Sequence, residues 1–379
     1  MTDESLAPCR LRDLVRYFFV LGTFGFGGPI ALAGYMQRDL VETRRWYLPA
    51  EYKQGLALAQ LAPGPLAAEL AIYLGWVRFR LRGATAVGVA FVLPSFLMVL
   101  ALAAAYVELG GLPWIAGVFY GVGAAVIAII ARSAFKLVKL SVGRDPVLWI
   151  VFAASAGTTA ATEREMIWLF IASGLAVMVA RGWRPPAAGI APWWLVTGLH
   201  GAAAGGTLVT LGLYFAAAGA FVFGSGLAIV PFLHGGVVEQ HGWLTERQFL
   251  DAVAIAMITP GPVVITVAFI GYLVAGPLGA LVSAVGVFVP AYLAVVIPAP
   301  YFHRFAENKR VKAFVDGVTA AATGAIAGAA FVLGRRAIVD IPTIAILGGV
   351  LLVQWRLRKI PEPLVIVAAG AIGVIISLV

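Results

Sequence analysis

The same unusual segment occurs twice in this chain, each time inside strongly apolar sequence. Ala62-Pro63-Gly64-Pro65 recurs 197 residues later as Thr259-Pro260-Gly261-Pro262. At that offset Gly22 meets Gly219, Phe24 meets Phe221, Gly27 meets Gly224 and Trp46 meets Trp243. One deletion shifts the offset to 196, where Gly75 meets Gly271, Gly83 meets Gly279, Pro94 meets Pro290 and Gly174 meets Gly370. We therefore read residues 1–184 as a first repeat, 185–206 as a linker and 207–379 as a second repeat. Duplicated apolar halves, interrupted by Gly and Pro at corresponding places, point to the solute site of a secondary transporter.

Composition narrows the class. Charged residues make up 12% of the chain and mean hydropathy is +0.96. Soluble domains carry about 25% charged residues, so much of this surface must face lipid. The expected fold is an all-α polytopic membrane protein. The polar start, Met1–Asp13, is followed by no cleavage site, so no signal peptide is read. The net charge of +9 sits in short basic clusters between apolar segments, which fits loop orientation and not nucleic acid. The single cysteine, Cys9, excludes an internal disulfide or a CxxC site. No GxxxxGK[ST] run is present, and His200, His234, His241 and His303 lack zinc-ligand spacing. No metal, cofactor or enzymatic reaction is expected. Gly117/Gly121 and Gly324/Gly328 are small-residue pairs suited to close helix packing.

Each repeat reads as about six segments, in the first at 14–36, 50–77, 84–107, 112–140, 146–161 and 165–181, of which the first two are broken helices or re-entrant hairpins. Loop charge sets their orientation. Repeat one carries Arg38, Arg44, Arg45, Lys53, Arg78, Arg80 and Arg82 around its first two segments, whereas the equivalent stretches of repeat two carry only Arg247. The next loop reverses this, with no basic residue in Glu108–Pro113 against Arg304, Lys309, Arg310 and Lys312. Basic short loops stay cytoplasmic, so the halves are expected in opposite orientations. The Arg335-Arg336 pair runs against this assignment. Inversion after six segments needs one crossing in the linker, giving thirteen in all, with the N-terminus cytoplasmic and the C-terminus outside.

The breaks are where chemistry is expected. Pro63 and Pro65 cannot donate backbone hydrogen bonds, and a helix starting at Pro65 would leave the N–H groups of Leu66 to Ala68 free. Bare N–H groups are costly in hydrocarbon and persist only beside protein, water or a ligand. A helix N-terminus is also a ready anion site. Pro260-Gly261-Pro262 repeats the device, while Gly25-Phe26-Gly27-Gly28-Pro29 and Gly224-Ser225-Gly226 supply two further breaks, the last with a hydroxyl. Four half-helix ends would make a cage for a small anion. A single such break would read as a packing kink. Gln60 and Thr259 flank the two Pro-Gly-Pro segments, and Glu69 and Thr266 occupy equivalent positions beyond them. Glu69 is expected to be protonated, paired with a cation such as Arg38, or a proton-coupling group; a glutamate reaching the interface is the plainer alternative.

Phe24-Gly25-Phe26-Gly27-Gly28-Pro29, the Ala57–Pro65 run, and Glu239–Gln248 followed by Ala256–Gly271 resemble the chromate ion transporter (CHR) family in its long, two-domain form. The resemblance implies export of chromate from the bacterial cytoplasm across the inner membrane, with resistance as the result. It places the family pattern on Gly27, Gly28, Pro29, Gln60, Pro63, Gly64, Pro65, Pro260, Gly261 and Pro262. The repeats diverge where Arg38-Asp39 is replaced by Gly235-Gly236. Sulfate is the alternative substrate, since residue spacing does not separate two tetrahedral dianions. A membrane-embedded reductase or a scaffold are the remaining classes. Subunit number is not legible, and a homodimer is compatible with the sequence.

Overall fold

The computed structural model describes residues 6–26, 28–109, 113–162, 167–181, 206–221, 229–302, 308–338, 340–357, 360 and 362–378. Gly27, Gly224, Ser225, Gly226 and the linker crossing, except Gly206, lie outside the described residues. Among the described residues every regular element is helical. The first half comprises α1 (Leu11–Phe24), α2 (Gly28–Met36, extended by a π-helical turn Gln37–Thr43), α3 (Pro49–Leu61), α4 (Leu66–Leu109), α5 (Pro113–Ser141), α6 (Pro146–Thr162) and α7 (Ile167–Ala180). The second comprises α8 (Thr207–Phe221), α9 (Ile229–His234, extended by Gly235–Gln240), α10 (Glu246–Ile258), α11 (Thr266–Val296), α12 (Lys309–Ala337), α13 (Ile341–Arg356) and α14 (Glu362–Leu378).

Four stretches are long and apolar enough to cross a bilayer: Leu66–Leu109, Gly117–Lys139, Val263–Tyr301 and Lys309–Arg335. Their outer faces agree. Val89, Leu93 and Leu97 on α4, and Leu278, Leu281, Val285 and Val289 on α11, form exposed apolar stripes at helical spacing. A soluble protein would have to bury such stripes, and a bilayer covers them. This is a multi-pass membrane protein.

The Pro-Gly-Pro break in the first half is the tip of a hairpin. α3 begins at Pro49, with the Glu51 carboxylate accepting from the Leu48 N–H at 2.9 Å, and ends where Pro63 can no longer donate. The chain then returns along 66–78. Arg78, at the end of this return, donates to the Glu51 carboxylate at 3.0 Å and to the Trp46 carbonyl, so both arms end together. Tyr47 fixes the same base through a 2.8 Å bond to the Leu74 carbonyl. Gly55 lets the arms touch, because a Cβ there would overlap the Tyr73 ring. α1 and α2 form a second hairpin, whose base is closed by Tyr17 donating to Asp39 at 3.3 Å.

At 44 residues, α4 would run about 66 Å as one rod, twice a hydrocarbon core. It is not one rod. Phe79 and Arg80 (φ 52°) leave the helical region, and a new helix runs back from there, with Gly75 packed on the Gly83 backbone. α11 repeats this at Ala275 and Gly276 (φ 63°), with Gly271 packed on Gly279. Gly22 sits on the Phe91 carbonyl, and Gly219 sits on that of Val287.

The remaining helices exchange partners between halves. α5 packs against α13 and α14, whereas α12 packs against α6 and α7, and α5 and α12 pack on each other. The small-residue pairs lie at these seams. Gly117 and Gly121 face Val374 and Ala369, and Gly324 and Gly328 face Phe152 and Ala156. Arg181 bridges Asp145 at 2.8 Å and Asp316 at 2.6 Å, tying α6, α7 and α12 together.

Candidate functional site

The hairpin tips meet inside the protein. The Gly261 N–H of one tip donates to the Gly25 carbonyl of another at 3.1 Å. Ser95, buried beside Pro94 on α4, donates to the Pro260 carbonyl at 2.7 Å, with the Gly22 carbonyl at 3.4 Å. Ser95 thereby serves a carbonyl that its own chain segment leaves without a helical partner. Gly261 has φ +99°, and a Cβ there would overlap the Ser95 hydroxyl. Gly64 holds the equivalent place opposite Ala291, whose Cβ would lie 2.7 Å from a Cβ at 64. Ala291 is the counterpart of Ser95, so the two tips have one shape and different polarity.

Behind each tip a helix starts inside the protein. The Ala68 and Glu69 N–H groups bond the Pro65 carbonyl, so Pro65 acts as the N-cap instead of the first helical residue. The amides of Leu66 and Ala67 then have no partner among the described residues, and both residues are buried. In the second half a short 3-10 turn, Val263–Ile265, intervenes before α11. There the amides of Val263 and Val264 likewise have no partner among the described residues. Buried N–H groups without partners are rare in proteins, and two helix starts presenting them suit an anion.

Glu69 is fully buried in the first turn of α4, and neither carboxyl oxygen has a hydrogen-bond partner among the described residues. Side chains lean toward a helix N-terminus, and Glu69 accordingly reaches back to Gly64, where a Cβ would overlap its Oε1. The ion pair with Arg38 is not formed. Arg38 Nε instead bonds Asp39 at 3.1 Å, at the rim of a separate cavity between α1 and α2.

The other predicted residues divide by placement. Pro63, Gly64, Pro65, Pro260, Gly261, Pro262 and Gly25 form the tips, and Gly28 and Pro29 begin α2 beside them. Thr259 turns its hydroxyl onto the Ile255 and Ala256 carbonyls, and Thr266 donates to Val263 at 2.7 Å. Both hydroxyls therefore close their own helix ends. Gln60 is exposed on α3. Ser95 was missed, although a lone hydroxyl after Pro94, opposite Ala291 in the repeat register, was its signal.

Apolar crossings interrupted by buried, uncapped helix starts define a multi-pass membrane protein with a polar centre. Similarity specifies the family. The chain matches the chromate transporter family over residues 12–178 and 209–374, and it belongs to that family. It is 58% identical to the chromate transport protein of Cupriavidus metallidurans, over 96% of this chain and 93% of that one. It is 55% identical to a probable chromate transport protein of Synechococcus elongatus, over 96% and 95% of the two chains. A chromate transport protein of Pseudomonas aeruginosa is 32% identical, over 98% and 94%. The family is one of transporters, not enzymes. No solved structure matches the chain.

Proposed function

We propose that the chain is a secondary transporter that exports chromate from the bacterial cytoplasm across the inner membrane and so confers chromate resistance. The observation that carries this reading is the pair of buried helix starts at Leu66-Ala67 and Val263-Val264, whose amides lack partners among the described residues. The names of the similar proteins supply the substrate. The anion sits between the Gly64 and Gly261 tips, with Gly25, Gly28 and Pro29 beside it. A dianion leaving an inside-negative cell gains about 4.6 kcal/mol per 100 mV, so export can run downhill on the membrane potential alone.

In this reading residues 1–184 and 207–379 are inverted repeats, and the hairpins re-enter from opposite sides. Because both arms of each hairpin return to the same base, each half makes four full crossings. One further crossing in 185–206 gives nine in place of the thirteen counted from apolar segments. Both counts are odd, so the termini stay on opposite sides. The contacts of Arg181, at the end of α7, with Asp145 and with Asp316 near the start of α12 support this, because all three then share the cytoplasmic side. Glu69 takes up and releases a proton as the neighbouring site fills and empties.

Two measurements test the reading. Chromate uptake into everted membrane vesicles should occur and should be competed by sulfate less effectively than by unlabelled chromate; its absence refutes export. Thr43 and Gln240 are exposed equivalents. In a Cys9→Ser background, Thr43→Cys and Gln240→Cys should label from opposite faces, and labelling from one face refutes the inversion.

A further inference from the structure

The cavity between α1 and α2 has no role in the tip site, and its volume is about 810 Å3. Its lining is basic on one part and apolar on another, and it reaches Phe24, Gly25 and Phe26, where the Gly25 carbonyl receives the Gly261 N–H. Three guanidinium groups line it: Arg16, Arg38 and Arg44. Arg44 stacks over Tyr17 at 5.4 Å and over Trp46 at 4.8 Å, and makes no ion pair among the described residues. Asp39 engages only Nε of Arg38 and spends its other oxygen on Tyr17, which leaves the terminal nitrogens of Arg38 to the cavity. Asp13 also lines the wall, so the cavity carries three cations against two carboxylates.

The equivalent positions of the second half carry none of this charge. Tyr17, Arg44 and Trp46 correspond to Tyr214, His241 and Trp243, while Arg16, Arg38 and Asp39 become Leu213, Gly235 and Gly236. The aromatic sandwich is kept, with His241 stacked on Trp243 at 4.3 Å and Tyr214 edge-on to both. Gly236 lets the Tyr214 ring fill the place that the Asp39 side chain has in the first half. Burial also lowers the His241 imidazole below its ordinary range, so it is neutral at pH 7. The two halves therefore differ at these positions in one property: the first attracts anions and the second does not.

We propose that the Arg16–Arg38–Arg44 cavity is the capture site where a tetrahedral oxyanion enters from the cytoplasm, and that its uncharged counterpart is the release side. This rests on the transport reading above. Capture at the rim acts through charge, which concentrates a dianion before it reaches the tips and weakens as salt screens it. Release past neutral side chains holds no anion back. The two faces then differ in apparent affinity for the anion, while the direction of net flux follows the driving force.

The test is chromate uptake by everted vesicles containing the full chain, at 20 and 200 mM KCl. The variant Arg16→Gln/Arg38→Gln/Arg44→Gln should raise KM about tenfold at low salt, keep the maximal rate within about twofold, and lose the salt dependence of KM. The corresponding triple lysine variant should stay within about threefold of wild type, because capture reads charge and not fork geometry. If the glutamine triple does not fold, Arg44→Gln alone should raise KM about threefold. Wild-type KM and salt response in the glutamine variants, while Gly261→Val abolishes uptake, would overturn the capture site alone. Absence of uptake by wild type would overturn the transport reading and the capture site with it.

Discussion

Gly261→Ala is the sharpest probe of how the tips are held together. Two costs are written into the position. An alanine at φ +99° carries backbone strain of about 1–3 kcal/mol. Its Cβ also displaces the Ser95 hydroxyl, leaving the buried Pro260 carbonyl unbonded at about 1–3 kcal/mol more. Gly143→Ala isolates the first kind of cost, since Gly143 has φ +57° and open space around it, and should cost about 1–2 kcal/mol. Ser95→Ala isolates the second. In the double variant the new Cβ meets the Cβ of residue 95 at 3.1 Å and the Gly22 carbonyl at 3.5 Å, with no hydroxyl left to displace, so the shared cost is counted once. The double should therefore be less destabilised than the sum of the singles by about 1–3 kcal/mol. Unfolding by SDS in mixed micelles, followed by tryptophan fluorescence, measures each term, and vesicle flux reports the site. Additive singles, or a Gly261→Ala no worse than Gly143→Ala and fully active, would refute the proposed tip contact.

Three further outcomes are expected. Glu69→Gln should retain chromate flux and flatten its dependence on pH, because the carboxyl beside Gly64 has no partner among the described residues to neutralise it; an unchanged profile with normal flux would remove Glu69 from the mechanism. Arg78→Met deletes the bonds to Glu51 and the Trp46 carbonyl together with the guanidinium stacked over Tyr47, so it should cost about 1–3 kcal/mol in the same SDS titration. Arg181 holds the Asp145 carboxyl below its ordinary value. A depressed folded value means stability that is present above about pH 4 and is lost as pH falls through that value. Asp145→Asn should remove this portion of the acid sensitivity, and thermal melts between pH 2 and 6 would measure it.

The positions of the tips were legible because Pro-Gly-Pro is rare in apolar sequence and its repetition fixes a register. The return of the chain at each tip was not. Residues 50–77 carry enough apolar length to read as a broken crossing, and only the Glu51–Arg78 pair and the Tyr47–Leu74 bond reveal that both ends lie together. Ser95 escaped notice because its partner, Pro260, is 165 residues away. Glu69 was legible as a charge at depth, but its lack of an Arg38 partner was not, since only the structure shows Glu69 buried at the tip and Arg38 exposed beside Asp39.

The exchange of partners between α5 and α12 bears on how the chain is made. The apolar run Val122–Ile130 of α5 is buried, and α5 packs against α13 and α14, which leave the ribosome long after it. α6 and α7 in turn wait for α12. A nascent chain released after residue 184 would hold its hairpin arms but keep the seams of three crossings open to lipid. Assembly of the first half is therefore completed last, and quality control that inspects unfinished helix seams should meet this protein late in synthesis.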